Sequence, residues 1–428
     1  MKIGLISPKG ILSKNKKLVN FWNKSLETFS YRKSLTGFSS NLLIIASLTP
    51  QSYKLTFVDE NFDQINFDEH YDLVAITCMT QQAKRAYEIG DFFRKKNIKV
   101  IIGGVHATLL PEEAKEHADS VVIGEAENIW SDILLDFNNN SLKTFYKSDR
   151  PVDLTKIPLP RYDLVNKENY SVVWIQTSRG CPIDCDFCSA SKIFGLQIRH
   201  RKVEQIIEEI KLVKKIWRFP QISFADDNIF MDRKYAVQLV NALIPLKIRW
   251  FAQTDVSIAE DDNLLKKLKK SGCKILFIGF ETINKKNVEG TDKTNFKYKR
   301  VLKYKEHIRK IQSYGIGIMG AFMVGFDNDD KTVFKKTSDF IVDNKLYAAQ
   351  ITILTPLPGT RLRDRLKNEN RLLSKTWDNY TFLDVNFMPA NMTPNELQKG
   401  LFEIYKKVYS KDSAIKRTQH FKNIYKNV

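Results

Sequence analysis

The sequence predicts an α/β protein. It begins with a doubly wound parallel sheet, continues as a partial β/α barrel of six units, and ends in a small helical C-terminal region. Three observations predict this. Short apolar runs alternate with helix-period segments through residues 1–140, and the same alternation restarts over 171–360. Between them, residues 141–170 carry Pro151, Pro158 and Pro160 and little periodicity, which marks a linker. Continuous apolar strands separated by helices imply parallel pairing, because parallel strands need crossovers and are covered on both faces.

The elements follow in order. KIGLIS (2–7) is a strand, and a polar, basic stretch to about Gly37 is expected as a long loop or irregular helix. NLLIIASLTP (41–50) forms a helix stopped by Pro50; YKLTFVDEN (53–61) and DLVAITCM (72–79) are strands. From Gln81 to Lys96, Ala83, Ala86, Ile89 and Phe92 recur at helical spacing. KVIIGGVHA (99–107) is a strand ending in Gly103-Gly104, Pro111 starts a short helix, and SVVIGEAE (120–127) is the last strand of the first series. The second series opens with VVWIQTS (172–178). The helix over Arg201–Ile216 places Val203, Ile206, Ile207, Ile210 and Val213 on one face. Strands QISFADDN (221–228), IRWFAQTD (248–255), KILFIGFE (274–281), GIGIMGAFMVGF (315–326) and AAQITILTP (348–356) complete the six units. Residues 361–428 read as helical and basic.

At 428 residues and 43% hydrophobic content, the chain can build two or three cores. It has no apolar run of about 18 residues and no signal-peptide pattern, so a cytoplasmic location is expected. The net charge of +19 is spread over many helices, which fits a solvated surface better than a nucleic-acid stripe. The clearest local excess is the tail, with seven basic residues from Lys406 to Lys426 against Asp412 alone. It is expected to touch an anionic surface, as a peripheral membrane contact would.

Five cysteines, three of them within eight residues, exclude a disulfide scaffold and point to metal. TSRGCPIDCDFCSAS (177–191) holds Cys181, Cys185 and Cys188 as C-x-x-x-C-x-x-C. A [4Fe-4S] cage has four iron corners, so three thiolates leave one iron open, as a catalytic centre requires. The competing reading is a structural metal knuckle with Cys78 or Cys273 as fourth ligand. Both lie in or beside apolar strands, which argues against it.

The cysteine spacing, with Phe187 before the last cysteine, resembles the radical S-adenosylmethionine (SAM) superfamily. The resemblance implies a [4Fe-4S] cluster on Cys181, Cys185 and Cys188. SAM would chelate the open iron and be cleaved by one electron to a 5′-deoxyadenosyl radical, with flavodoxin or ferredoxin as the type of electron donor. It also implies SAM contacts at Asp226, Asp227 and Asn228 after the second barrel strand, Gln253 after the third, and Glu281 in GFE after the fourth. Gly320 and Gly325 in GIGIMGAFMVGFD would let the backbone approach adenine. TPLPGT (355–360) resembles the sixth-strand segment. The pattern names no catalytic acid or base.

A doubly wound sheet ahead of such a barrel resembles the Rossmann-like, cobalamin-binding domain of B12-dependent radical SAM enzymes, as do CMTQQAKRAYEIG and GGVHATLLPEEA, while WDNY (377–380) and MTPNEL (392–397) resemble the small C-terminal helical domain of the same enzymes. Ligands of open α/β sheets bind beyond the carboxyl ends of the strands, here Thr80, Gln81, Gly103, Gly104, Gly124 and Glu125. The cobalt-ligating D-x-H-x-x-G is absent, since loop 8–16 reads PKGILSKNK, and His106 reads as a structural histidine. A sheet that has lost the cofactor is the alternative.

The expected activity is cobalamin-dependent methylation of an unactivated carbon or related centre in a small-molecule, lipid or peptide substrate. Radical cyclisation, coupling or rearrangement without methyl transfer is the alternative. A tRNA methylthiotransferase is disfavoured, because residues 1–140 hold Cys78 and none of the further cysteines a second cluster needs.

Overall fold

The computed structural model describes residues 1–24, 38–373 and 375–426. The expected loop or irregular helix up to Gly37 lies partly outside these residues. Two six-stranded, all-parallel sheets carry the molecule, and no helix among the described residues is long and apolar enough to cross a membrane.

The first sheet comprises β1 (Lys2–Ser7), β2 (Lys54–Asp59), β3 (Leu73–Thr77), β4 (Lys99–Gly103), β5 (Ser120–Ile123) and β6 (Phe145–Lys147), in the order β2-β1-β3-β4-β5-β6. Its order reverses between β1 and β3, a switch point that opens a crevice at the carboxyl ends of the strands. Register is set by burial on both faces: Ile3 pairs with Leu55 and Leu73, and Ile3, Leu5, Leu73 and Val100 are fully buried. Strand β6 lies in the stretch expected as a linker. It is three residues long and pairs only with β5, too short to leave a periodic signal.

The second sheet comprises β7 (Val172–Ile175), then, after the short antiparallel pair β8 (Ser178–Arg179) and β9 (Arg199–His200), β10 (Gln221–Phe224), β11 (Trp250–Thr254), β12 (Cys273–Glu281), β13 (Gly317–Val324) and β14 (Ala348–Ile353). The order β7-β10-β11-β12-β13-β14 is that of a six-unit partial barrel. Cys273 is buried in β12, as its apolar context predicts.

The helix Ser40–Leu48 joins the two halves. Leu42, Leu43, Ile44, Ile45 and Ala46 are all buried, so the helix is apolar all round. Leu43 packs in the barrel core while Leu42 and Ile45 pack under the first sheet.

An open barrel leaves β14 as an edge, a liability for any sheet. The helix Pro394–Val408 covers it. The Tyr405 hydroxyl donates to the Ile351 carbonyl at 2.6 Å and accepts its N–H at 3.2 Å. Tyr409, one turn on, does the same to Ala349, at 2.7 and 3.2 Å. The helix Lys411–Lys426 follows and packs Phe421 edge-on against Tyr347, leaving Lys411, Lys416 and Lys422 exposed.

Candidate active site: a cysteine loop facing an apolar cleft

The three clustered cysteines leave the barrel between β8 and the helix Ala190–Phe194. Gly180 makes the turn possible. Its φ is +99°, and a Cβ there would lie 2.2 Å from the Gln197 carbonyl oxygen. The loop is then pinned from three sides. The Cys181 N–H donates to the Gly195 carbonyl at 3.2 Å, and the Asp186 N–H to that of Thr291 at 2.8 Å. The Asp184 carboxylate accepts from Ser191 at 2.9 Å and Arg361 at 2.8 Å.

None of the three thiols is in a disulfide, and all are partly buried. Burial pushes each thiol up, Cys188 to about 11. Metal binding must therefore expel the protons. Cys185 and Cys188, and Cys188 and Cys181, feel each other's charge. Among the described residues, no three His, Cys, Asp or Glu side chains close on a single-ion point. Three thiols spread along one pinned loop suit a polynuclear cluster, whose separate irons each take a thiolate. The donor set fits such a cluster.

Of the expected SAM-contacting residues, Asp226, Asp227, Asn228, Gln253 and Glu281 lie at the carboxyl ends of barrel strands, in different states, and Gly325 follows β13, whereas Gly320 sits within β13. Asp226, fully buried after β10, is occupied: the Thr177 hydroxyl donates to it at 2.8 Å, the Ser178 hydroxyl at 2.5 Å, and the Thr177 N–H at 3.1–3.2 Å. It holds the strand that leads into the cysteine loop. The neighbouring Asp227 carboxylate has no such donor among the described residues. Burial, aided by the Asp226 charge, raises its carboxyl to about 6, and its own charge raises the Cys181 thiol. Asn228 donates to Asp255 at 2.7 Å, and Gln253 to the Asp227 carbonyl at 3.3 Å. Glu281 pairs with Lys297 at 2.6 Å, a partner the sequence pattern did not indicate. Gly320 has a packing reason of its own: a Cβ would meet Phe322 at 2.6 Å and Leu346 at 2.8 Å. At Gly325, φ is +102° and a Cβ would meet Leu397 at 2.9 Å.

The second part of the site is a cleft of about 410 Å3 over the carboxyl ends of β3, β4 and β5, continuing onto the barrel. Of the expected cofactor-binding residues, Gly103, Gly104, Gly124 and Glu125 line it; Thr80 and Gln81 do not. Thr80 is buried and contacts His106 Nδ1 at 3.4 Å, while His106 Nε2 contacts Glu113 at 3.3 Å. The same Glu113 accepts from Tyr87 and Trp377, so His106 is a structural histidine. Gly124 has φ +83° and open space where a Cβ would stand, a cradle that any side chain would fill. From the barrel side, Trp174, Ile193, Phe194 and Ala225 complete an apolar wall. This largely apolar lining fits an apolar cofactor face.

Glu125 does not hang free in the cleft. Arg179 donates to Glu125 at 2.6 Å and to Glu127 at 2.6 Å, and Arg199 donates to Glu125 at 2.9 Å. Burial alone would raise the Glu125 carboxyl, but the two guanidiniums overrule it and hold it below the ordinary range. The first sheet is thus locked to the barrel two residues before Cys181. Arginines 54 and 74 positions distant carry no local sequence signal of this lock.

Comparison with known proteins agrees with this architecture. The Radical SAM superfamily profile matches residues 175–341, the B12 binding domain profile residues 44–134, and a domain of unknown function (DUF4070) residues 360–428. The chain is similar to bacteriochlorophyllide d C-12(1)-methyltransferase of Chlorobaculum tepidum, 32% identical over 391 residues, covering 89% of this chain and 84% of the relative. It is also similar to bacteriochlorophyllide d C-8(2)-methyltransferase of the same organism, 30% identical, covering 89% and 87%. Its fold resembles that of the radical SAM methyltransferase TsrM from Kitasatospora setae with cobalamin and [4Fe-4S] cluster bound. The TM-score is 0.67 at 14% identity, over 93% of this chain and 84% of that one. The cofactors of such an enzyme are a [4Fe-4S] cluster, SAM and cobalamin. By its two domains, their order and its similarity along nearly its whole length, the chain belongs to the B12-binding-domain radical SAM enzymes, as a member of their methyltransferase group.

Proposed function

We propose that the protein methylates an unactivated carbon of an apolar, polycyclic small molecule. Cys181, Cys185 and Cys188 would hold the cluster, and the cleft bearing Gly103, Gly104 and Gly124 would hold cobalamin. One observation carries the reading. The cleft over the first sheet is walled on its other side by Ile193 and Phe194, on the helix following the cysteine loop, and by Ala225, the residue before Asp226. A methyl carrier and a radical source would therefore meet in one apolar space. When bound, the cluster and SAM supply hydrogen abstraction and cobalamin supplies the methyl group.

The chain's own residues prepare that space. Trp174 and Phe194 give it an apolar wall, which would help shield a reactive carbon from water once the cofactors are bound. Asp226 fixes the approach to the cysteine loop through Thr177 and Ser178. Arg179 and Arg199 fix the distance between the two halves through Glu125. The names of the two bacteriochlorophyllide d methyltransferases support a substrate with a flat apolar ring system.

The test is anaerobic turnover of the reconstituted protein with a low-potential reductant, SAM and a bacteriochlorophyllide, followed by mass spectrometry. The expected product is one methylene unit heavier, with the label from methyl-deuterated SAM retained. Formation of 5′-deoxyadenosine with a product of unchanged carbon count would replace this reading with radical cyclisation or rearrangement.

A further inference from the structure

We propose that the base of the barrel docks on an anionic membrane surface, where cations at the amino ends of the strands meet lipid phosphates and Phe219 enters the headgroup layer. This is independent of the reaction proposed above.

A cavity of about 1210 Å3 opens at the amino ends of the barrel strands, between the segments that lead into β10, β11, β12, β13 and β14. Six cations line it, Lys214, Arg218, Lys247, Arg249, Lys269 and Lys274, and no carboxylate does. All six are exposed, and none is in an ion pair among the described residues. Other surface lysines are neutralised: Lys335 and Lys407 share Asp339, and Lys310 pairs with Asp262. A net charge of +19 leaves cations over the whole surface, but six around one mouth without a counter-charge focus a positive potential on one face.

The rim is also aromatic. Phe219, in the loop entering β10, is 85% exposed, with the Arg218 guanidinium 5.3 Å from its ring centre. Tyr347, ahead of β14, is 44% exposed. Their strands are the second and the last in the sheet, so the rings stand on either side of the cations that precede β11 and β12. Rings at the headgroup level, beside cations that meet anionic lipids, let a protein rest on a bilayer without spanning it. The C-terminal helix joins this end of the barrel. Phe421 packs on Tyr347 at 5.3 Å, and His420 Nε2 lies 3.2 Å from Gln312 Oε1. The excess charge of the tail, including exposed Lys416 and Lys422, therefore adds to the same end. A soluble electron donor does not fit this face, because it must reach the cysteine loop, which lies toward the opposite ends of the strands.

The test is sedimentation of the full-length protein with vesicles of phosphatidylglycerol and phosphatidylcholine, against vesicles of phosphatidylcholine alone. Binding is expected to the anionic vesicles, weakening as salt rises from about 0.1 to about 0.5 M. Lys247→Glu, Arg249→Glu and Lys274→Glu combined should lower the partition coefficient more than about tenfold. Lys17→Glu, Lys84→Glu and Lys95→Glu combined make the same change in net charge on exposed positions of the first half, and should lower it less than about threefold. Phe219→Trp should add emission that anionic vesicles with brominated acyl chains quench. If the barrel triple variant does not fold, that quenching alone decides. Equal losses in the two triple variants, equal sedimentation with neutral vesicles, or an unquenched Phe219→Trp signal would overturn the proposal. Retention of a single-stranded oligonucleotide in place of vesicles would assign the face to nucleic acid and overturn it too.

Discussion

Arg179→Met probes how the two halves are held at the distance the chemistry needs. The side chain is 5% exposed and spans two carboxylates that are themselves 9% and 10% exposed. Methionine keeps much of the volume and removes the charge. Glu125 retains Arg199 and the Val152 N–H, but Glu127 loses its guanidinium partner. Two charge-assisted bonds at about 1.5–3 kcal/mol each, or the rupture of one buried ion pair, both lead to about 3–5 kcal/mol. Urea unfolding followed by tryptophan fluorescence should show a midpoint about 1–1.7 M lower, with m near the upper end of the ~1–3 kcal/mol/M range. The loss has a defined pH dependence. The Glu125 carboxyl is held below its ordinary range, so its contribution is present above the unfolded-state value and fades as pH falls below about 4. The variant and wild type should therefore converge in acid. A difference under about 1 kcal/mol at pH 7, or a gap that widens in acid, would refute the view that this cluster locks the two halves together.

Three other outcomes are expected. Alanine at Cys181, Cys185 or Cys188 should abolish the brown cluster absorbance after reconstitution, whereas Cys273→Ala, buried in β12, should keep it; loss in both sets would show a fourth protein ligand. Gly124→Val places a branched side chain in open cleft space at φ +83°. It should cut corrinoid retained on purification by more than tenfold while leaving iron content unchanged, as measured by absorbance and metal analysis. Tyr405→Phe removes a hydroxyl that serves both the N–H and the carbonyl of Ile351 on the barrel edge, and should cost about 1–3 kcal/mol in urea unfolding with little change in cluster content.

Much of this protein is legible along the chain because it is local. The cysteine spacing within 177–191, the alternation of apolar runs with helical periods, and the glycines at 103, 104 and 124 are short-range patterns, set by ligand geometry, backbone sterics and solvent exclusion. They determine two parallel sheets in order and the loop that carries the three clustered cysteines. What only the tertiary structure decided depends on residues distant in sequence and on burial. Asp226 reads as a SAM contact in ADDN; the fold adds that its carboxylate takes hydroxyl donors from Thr177 and Ser178, 49 and 48 positions earlier, because a buried carboxylate must find donors. Glu125 reads in the sequence as a cofactor contact beyond a strand end; that Arg179 and Arg199 close on it is visible only in the fold. Gly320 reads as room for a cofactor, and the fold adds a packing reason for glycine there, since the space a Cβ would need is taken by Phe322 and Leu346. Lys297 is one cation among many in the sequence and becomes singular only by being buried against Glu281. Local pattern can specify a backbone and a ligand spacing. The partner of a buried charge is chosen by the whole fold, since low polarity inside makes an unpaired charge too costly to leave where the chain alone would put it.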